Sequence, residues 1–133
     1  MNEPVGLAAL RNLDYTMLLC TEIEPMRSFY VDVLGFEVQR DIPGRYLEVR
    51  AGAATLAFRL RSRTYDGPPR TDPGASVQLA FRVPPPAVDE AAAQLVARGV
   101  ELLEPVHDLP DFGHRVLFFA DPEGNVIEIY AEI

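Results

Sequence analysis

The chain has 133 residues, 48% of them hydrophobic and 24% charged, the profile of one ordinary globular domain. All 12 basic residues are arginine and stand against 20 acidic ones, for a net charge of −8. The absence of lysine excludes Schiff-base and P-loop lysine chemistry, and the acidity argues against nucleic acid or an anionic membrane surface. No apolar run reaches the ~18 residues of a membrane span. No secretory signal is visible, and the single Cys20 forbids an intrachain disulfide, so a reducing cytoplasm is the expected compartment.

In chain order, residues 13–20 form an apolar run of strand length. Pro25 suits the first turn of a helix, and Met26, Phe29, Tyr30 and Val33 then share one helical face. Gly35 ends that helix. Strands are predicted at 36–41, 45–50 and 53–61, with turns at Pro43-Gly44 and Ala51-Gly52-Ala53. Residues 61–74 are polar and rich in proline and glycine, and read as a linker or mobile flap.

The order then repeats. Residues 77–83 alternate apolar and polar, and Pro84-Pro85-Pro86 stops the strand. Val88, Ala91, Ala92 and Leu95 mark a second helical face that ends at Gly99. Strands follow at 100–103, 115–119 and 125–133, with a turn at 121–125. Tyr15 precedes Gln78 by 63 residues, and Gly35 precedes Gly99 by 64. The chain is thus predicted to be α+β: a first βαβββ module over about 10–61, a linker over 62–75 and a second module over about 76–133. Each module is too small to bury much core alone, so the two should pair within one domain or across a dimer.

Alternation assigns two faces to each sheet. Leu47, Val49, Leu56, Phe58, Leu79, Phe81, Ile127 and Ile129 should pack on the helices. The opposite faces carry Tyr15, Tyr46, Glu48, Arg50, Arg59, Gln78, Arg82, Glu128 and Tyr130. If such a face curves, it becomes a cleft walled by aromatic and charged groups. Arg50, Arg59 and Arg82 could grip an oxyanion bidentately, or pair internally with Glu48 and Glu128. His107 and His114, the only imidazoles, fall in a stretch before the penultimate strand, where either could serve as a base. Cys20 ends an apolar strand and should be inert.

Two segments resemble family signatures. Ser28-Phe29-Tyr30-Val31-Asp32-Val33-Leu34-Gly35-Phe36 is similar to an "FY…vLGF" pattern, and 119–129, with Asp121-Pro122-Glu123-Gly124-Asn125, to "DPdGN-x-IEl". Together they resemble the vicinal oxygen chelate superfamily of glyoxalase I, bleomycin-resistance proteins and extradiol dioxygenases. The resemblance implies two modules paired into an incomplete barrel around a cleft, and commonly a homodimer. It also implies four metal-holding positions, which fall here on Tyr15, Ala57, Gln78 and Glu128. Ala57 has no ligand atom. The expectation is therefore a metal-free small-molecule binder similar to the bleomycin-resistance branch, sequestering its ligand. Tyr15, Tyr46 and Tyr130 would supply flat contact, and Glu48, Arg59, Gln78, Arg82 and Glu128 polar contact. The acidity suggests a cationic, aromatic ligand. The alternatives are a lyase, isomerase or dioxygenase holding Zn²⁺, Ni²⁺, Mn²⁺ or Fe²⁺ through Gln78 and Glu128, and a metal-free enzyme using a histidine base.

Overall fold

A computed structural model describes residues 3–69 and 77–133. Strand β1 (Tyr15–Cys20) leads into helix α1 (Ile23–Arg27), which widens into a π turn over Ser28–Val33. Strands β2 (Glu37–Ile42), β3 (Tyr46–Ala51) and β4 (Ala54–Leu60) follow. The second module runs β5 (Gln78–Arg82), α2 (Ala87–Ala97), β6 (Leu102–Leu109), β7 (His114–Ala120) and β8 (Val126–Glu132).

Each module is one four-stranded sheet with the same topology, β1-β4-β3-β2 and β5-β8-β7-β6. The first and last strands of each module are parallel neighbours; the other pairs are antiparallel. Parallel neighbours need a crossover, and the helix with the two strands after it supplies one. Neither sheet closes on itself, so the chain is an α+β pair of βαβββ modules, an incomplete barrel. The repeat holds in register: Tyr15 pairs with Thr55 as Gln78 pairs with Val126, and two residues on Met17 meets Ala57 as Ala80 meets Glu128. Ala57 and Glu128 therefore occupy equivalent places. Gly35 and Gly99 end the helical segments with φ of +85° and +83°, a region that costs a side chain dearly.

The alternating faces sort as expected. Leu47, Val49, Leu56 and Phe58 from the first sheet and Leu117, Phe119, Ile127 and Ala131 from the second join Met26, Tyr30, Val88 and Leu95 of the helical segments in one buried cluster. The first module's helical segment packs on the second module's sheet as well as its own. Phe29 lies 6.0 Å from Phe119 and Phe36 5.4 Å from Phe81, ring centre to ring centre. Across the same seam the Tyr30 hydroxyl donates to Asp121 at 2.7 Å, and the Thr21 amide donates to Glu123 at 3.1 Å. Arg98 closes the far end by donating to the Val33 carbonyl.

Three features differ from the sequence expectation. The first helix loosens into the π turn, where Leu34 N–H bonds to Phe29 and Phe36 N–H to Tyr30. The second strand of the second module, β6, extends beyond 100–103 and runs through Pro105 and His107. It lies at the sheet edge and shifts register on either side of Glu104, and an edge strand tolerates a proline. The two histidines, expected before the penultimate strand, thus lie on β6 and at the start of β7. Finally, the segment expected to be a loose flap is a tied strap as far as it is described. Asp66 accepts from the amides of Ser62 and Arg63, both at 2.8 Å, and its carbonyl accepts from Arg61 at 2.6 Å. The rest of the expected linker and flap, 70–76, lies outside the described residues.

Candidate functional site

The side chains turned away from the helices line the open face of each sheet. In the first module this face forms a cup of about 690 Å³, lined by Tyr15 and Met17 of β1, Arg40 and Ile42 of β2, Tyr46 and Glu48 of β3, Arg59 and Leu60 of β4, and Arg45, Ser62 and Arg63 at the rim. Glu48 sits at its floor, opposite Ala57 in register and only 5% exposed. A carboxylate so buried needs partners. The Tyr46 hydroxyl donates to its Oε2 at 2.6 Å, and the Arg40 guanidinium stands 3.6 Å from the same oxygen. Burial, then the bond to Glu48, pushes the Tyr46 phenol well above its ordinary range, so it acts as a donor and not as a phenolate.

Arg59, opposite Tyr46 on the next strand, is held in a fork by Asp66 at 2.9 and 3.0 Å. Their side chains are 18% and 2% exposed. This bond, with the two strap amides, draws the Asp66 carboxyl well below the usual carboxylate range. Arg59 therefore pairs with neither Glu48 nor Glu128, and its charge is spent on the strap. The sequence reading missed Asp66, which looked like one more polar residue of a linker.

The second module's open face carries Gln78, Ala80 and Arg82 of β5, Glu128 and Tyr130 of β8, and Val116 and Phe118 of β7. Gln78 donates its amide nitrogen to Glu128 at 3.0 Å, and Arg82 pairs with Glu132 at 2.7 Å, not with Glu128. His114 stacks on Tyr130 with ring centres 4.4 Å apart, so this imidazole does belong to the open face. His107 pairs with Val116 in register; its ring contacts the Pro105 carbonyl at 2.8 Å and stands 3.5 Å from Glu104. Arg50 is exposed on β3, outside the residues lining the cup.

The residues expected around one cleft thus fall into two groups. Tyr15, Tyr46, Glu48 and Arg59 belong to the first module's cup; Gln78, Arg82, Glu128 and Tyr130 belong to the second module's face. No hydrogen bond, ion pair or ring contact joins the groups among the described residues, and the first cup takes no residue from the second module. The ring contacts of the seam use Phe81 and Phe119, which pack with the buried cluster on the helix side of the second sheet, so that sheet's open face takes no part in them.

The donor set fits a divalent ion poorly. Such an ion wants about three protein ligands. Ala57 offers none, and the Gln78 amide and Glu128 carboxylate are bonded to each other. No group of three or more His, Cys, Asp or Glu side chains suited to a metal occurs among the described residues. No described helix is long and apolar enough to cross a membrane.

Residues 12–129 match the sequence model of the Glyoxalase/Bleomycin resistance protein/Dioxygenase superfamily. Among individual relatives, the uncharacterized protein YwkD of Bacillus subtilis (strain 168) is 32% identical, over 92% of this chain and 98% of its own. Among solved structures, a glyoxalase/bleomycin resistance protein/dioxygenase from Nocardioides superposes with a TM-score of 0.77 at 24% identity, over 93% of this chain and 85% of its own. A lactoylglutathione lyase from Agrobacterium tumefaciens does so with a TM-score of 0.72 at 23% identity, over 90% and 92%. At these identities the two structures speak for the fold alone.

Proposed function

The chain belongs to the Glyoxalase/Bleomycin resistance protein/Dioxygenase superfamily, and within it we propose that it binds a small organic molecule without a metal and holds it by sequestration. The observation that carries this reading is the first cup: a concave site of about 690 Å³ with aromatic and apolar walls, a buried carboxylate at its floor and Ala57 where a metal ligand would be needed. Sites of this size and lining suit small molecules. Tyr15, Met17 and Ile42 supply apolar contact, and Glu48 accepts a hydrogen bond.

The reading includes a homodimer. Each chain presents two open half-sites, and a second copy set two-fold over the first would close one module's cup with the other module's open face. Tyr15, Tyr46 and Glu48 of one protomer would then share a ligand with Gln78, Glu128 and Tyr130 of its partner. The exposed wall residues favour this: Tyr15 is 41% and Met17 48% exposed in the single chain. The proposed setting is a reducing cytoplasm, where the lone Cys20 stays a thiol.

Two measurements test the reading. Sedimentation equilibrium should give a dimer at micromolar concentration. Calorimetry of metal-stripped, untagged protein against Mn²⁺, Ni²⁺, Zn²⁺ and Fe²⁺ should show no tight one-to-one binding. Tight binding that Glu128→Ala abolishes would overturn sequestration in favour of a metal-dependent lyase, isomerase or dioxygenase.

A further inference from the structure

We infer that the first module's cup takes an organic anion: a carboxylate or phosphate-type oxyanion carried on an apolar or aromatic body. This names the ligand class for the site proposed above and rests on that reading. The overall charge of −8 points toward a cation, but it is the wrong quantity to consult. At physiological ionic strength the Debye length is ~8 Å, so charges scattered over the far surface are screened from the cup. The groups lining it decide.

Those groups are mostly basic. Four of the chain's 12 arginines, Arg40, Arg45, Arg59 and Arg63, line the cup against Glu48, and the face of the second copy would add one further carboxylate, Glu128, which already accepts from the Gln78 amide. Two of the four are already matched. Arg59 is forked on Asp66, and Arg40 lies against Glu48. Arg45 and Arg63 form no ion pair among the described residues. They sit on one rim, because the Leu60 amide at the end of β4 donates to the Arg45 carbonyl at 3.4 Å and the strap begins immediately after.

A guanidinium presents its donors in a planar fork that fits a carboxylate or phosphate. Below the rim, Tyr15, Met17 and Ile42 are 41%, 48% and 40% exposed, an apolar wall with nothing covering it in the chain. At the floor, Glu48 spends Oε2 on Tyr46 and keeps Oε1 without a hydrogen bond among the described residues. The occupant that satisfies all three levels has an oxyanion at the rim, an apolar body along the wall and a hydroxyl or N–H at its inner end. A cation would meet Arg45 and Arg63 at the entrance and find Glu48 already screened by Arg40.

The test is a nuclear magnetic resonance titration of ¹⁵N-labelled full-length protein in low-salt, phosphate-free buffer. The probes are benzoate, phenylphosphonate, benzylammonium and benzyl alcohol. Benzoate and phenylphosphonate should shift amides of Tyr15, Met17, Tyr46 and Arg63 and bind more tightly than the other two. Whichever of them binds tighter identifies the oxyanion. Arg45→Gln and Arg63→Gln should each weaken the anions about fivefold, the scale of one exposed charge pair, and leave benzyl alcohol unchanged. Raising the salt to physiological strength should weaken the anions too. Benzylammonium binding as tightly as the anions, or anion affinity unmoved in the double variant, overturns the inference and leaves the binding site standing. If no probe shifts these amides, the binding site itself is wrong and the inference falls with it.

Discussion

The Tyr30 hydroxyl lies 2.7 Å from the Asp121 carboxylate, and the bond joins the two modules through one buried contact. Tyr30 comes from the π turn after α1, and Asp121 from the turn between β7 and β8. These are the two segments that resembled family signatures, and their residues do structural work. Asp121 also accepts from the backbone amides of Glu123 and Asn125, at 2.9 and 3.0 Å, and from the Asn125 side chain at 2.9 Å. Phe29, beside Tyr30, packs on Phe119.

Tyr30→Phe should therefore cost about 1–3 kcal/mol, the range for leaving a buried acceptor short of one partner. Asp121→Ala should cost more, because it strands the Tyr30 hydroxyl and two backbone amides together. Urea denaturation should show a lower midpoint in both, with an unchanged slope if the unfolded state is unaffected. Equal stability of Asp121→Ala and wild type would mean that the seam is held by ring packing alone.

Asp66 should lock the strap across the whole neutral range. Its carboxyl titrates below the ordinary range, chiefly through Arg59. A depressed folded value means that the stabilisation is complete above the unfolded value of about 3.9 and is lost as pH falls below it. Asp66→Asn should thus be less stable than wild type at pH 7, with the gap closing toward pH 2. Thermal melts of both proteins from pH 2 to 8 would check this; a gap that stays constant would assign the effect to packing. Limited proteolysis at pH 7 should also cut the variant faster near residues 62–66.

Much of this architecture can be read from the amino acids. Alternation in 47–49, 56–58 and 127–129 separates helix-facing from open side chains, and the 63-residue offset from Tyr15 to Gln78 exposes the repeat. What alternation cannot encode is which face meets which. Tyr46, Glu48, Gln78 and Glu128 each belong to an open face, but the packing of Phe29 on Phe119 and Phe36 on Phe81 sets those faces apart. Partners outside regular structure are equally hidden. By pattern Arg59 has two acidic candidates, Glu48 and Glu128, and the partner it takes, Asp66, is a third that strap geometry selects. The length of β6 was obscured by Pro105, which is admissible only because the strand is an edge. The ligand's charge is not legible for a different reason: composition sums over the whole surface, whereas a cup responds to its lining.

Cys20 should be unreactive in the folded chain. Its side chain is fully buried at the end of β1, and its thiol stands 3.6 Å from the Arg59 carbonyl. Burial, and after it the negative charges of Glu123 and Asp121, push the thiol up to about 11, with Arg61 opposing them. Thiolate is the reactive form, so little is present at pH 8, and reagent must also reach it. Ellman's reagent should leave the native protein unmodified and titrate one thiol in denaturant. The same shift has a stability consequence. Between its unfolded value of about 8.5 and about 11 the unfolded chain releases a proton that the folded chain keeps, so folding weakens as pH rises through that interval. Cys20→Ala should flatten this alkaline slope while lowering stability at pH 7, since it leaves a small void in the core. Denaturation midpoints of both proteins from pH 7 to 10.5 separate the two effects, and parallel curves would mean that the thiol does not carry the alkaline loss.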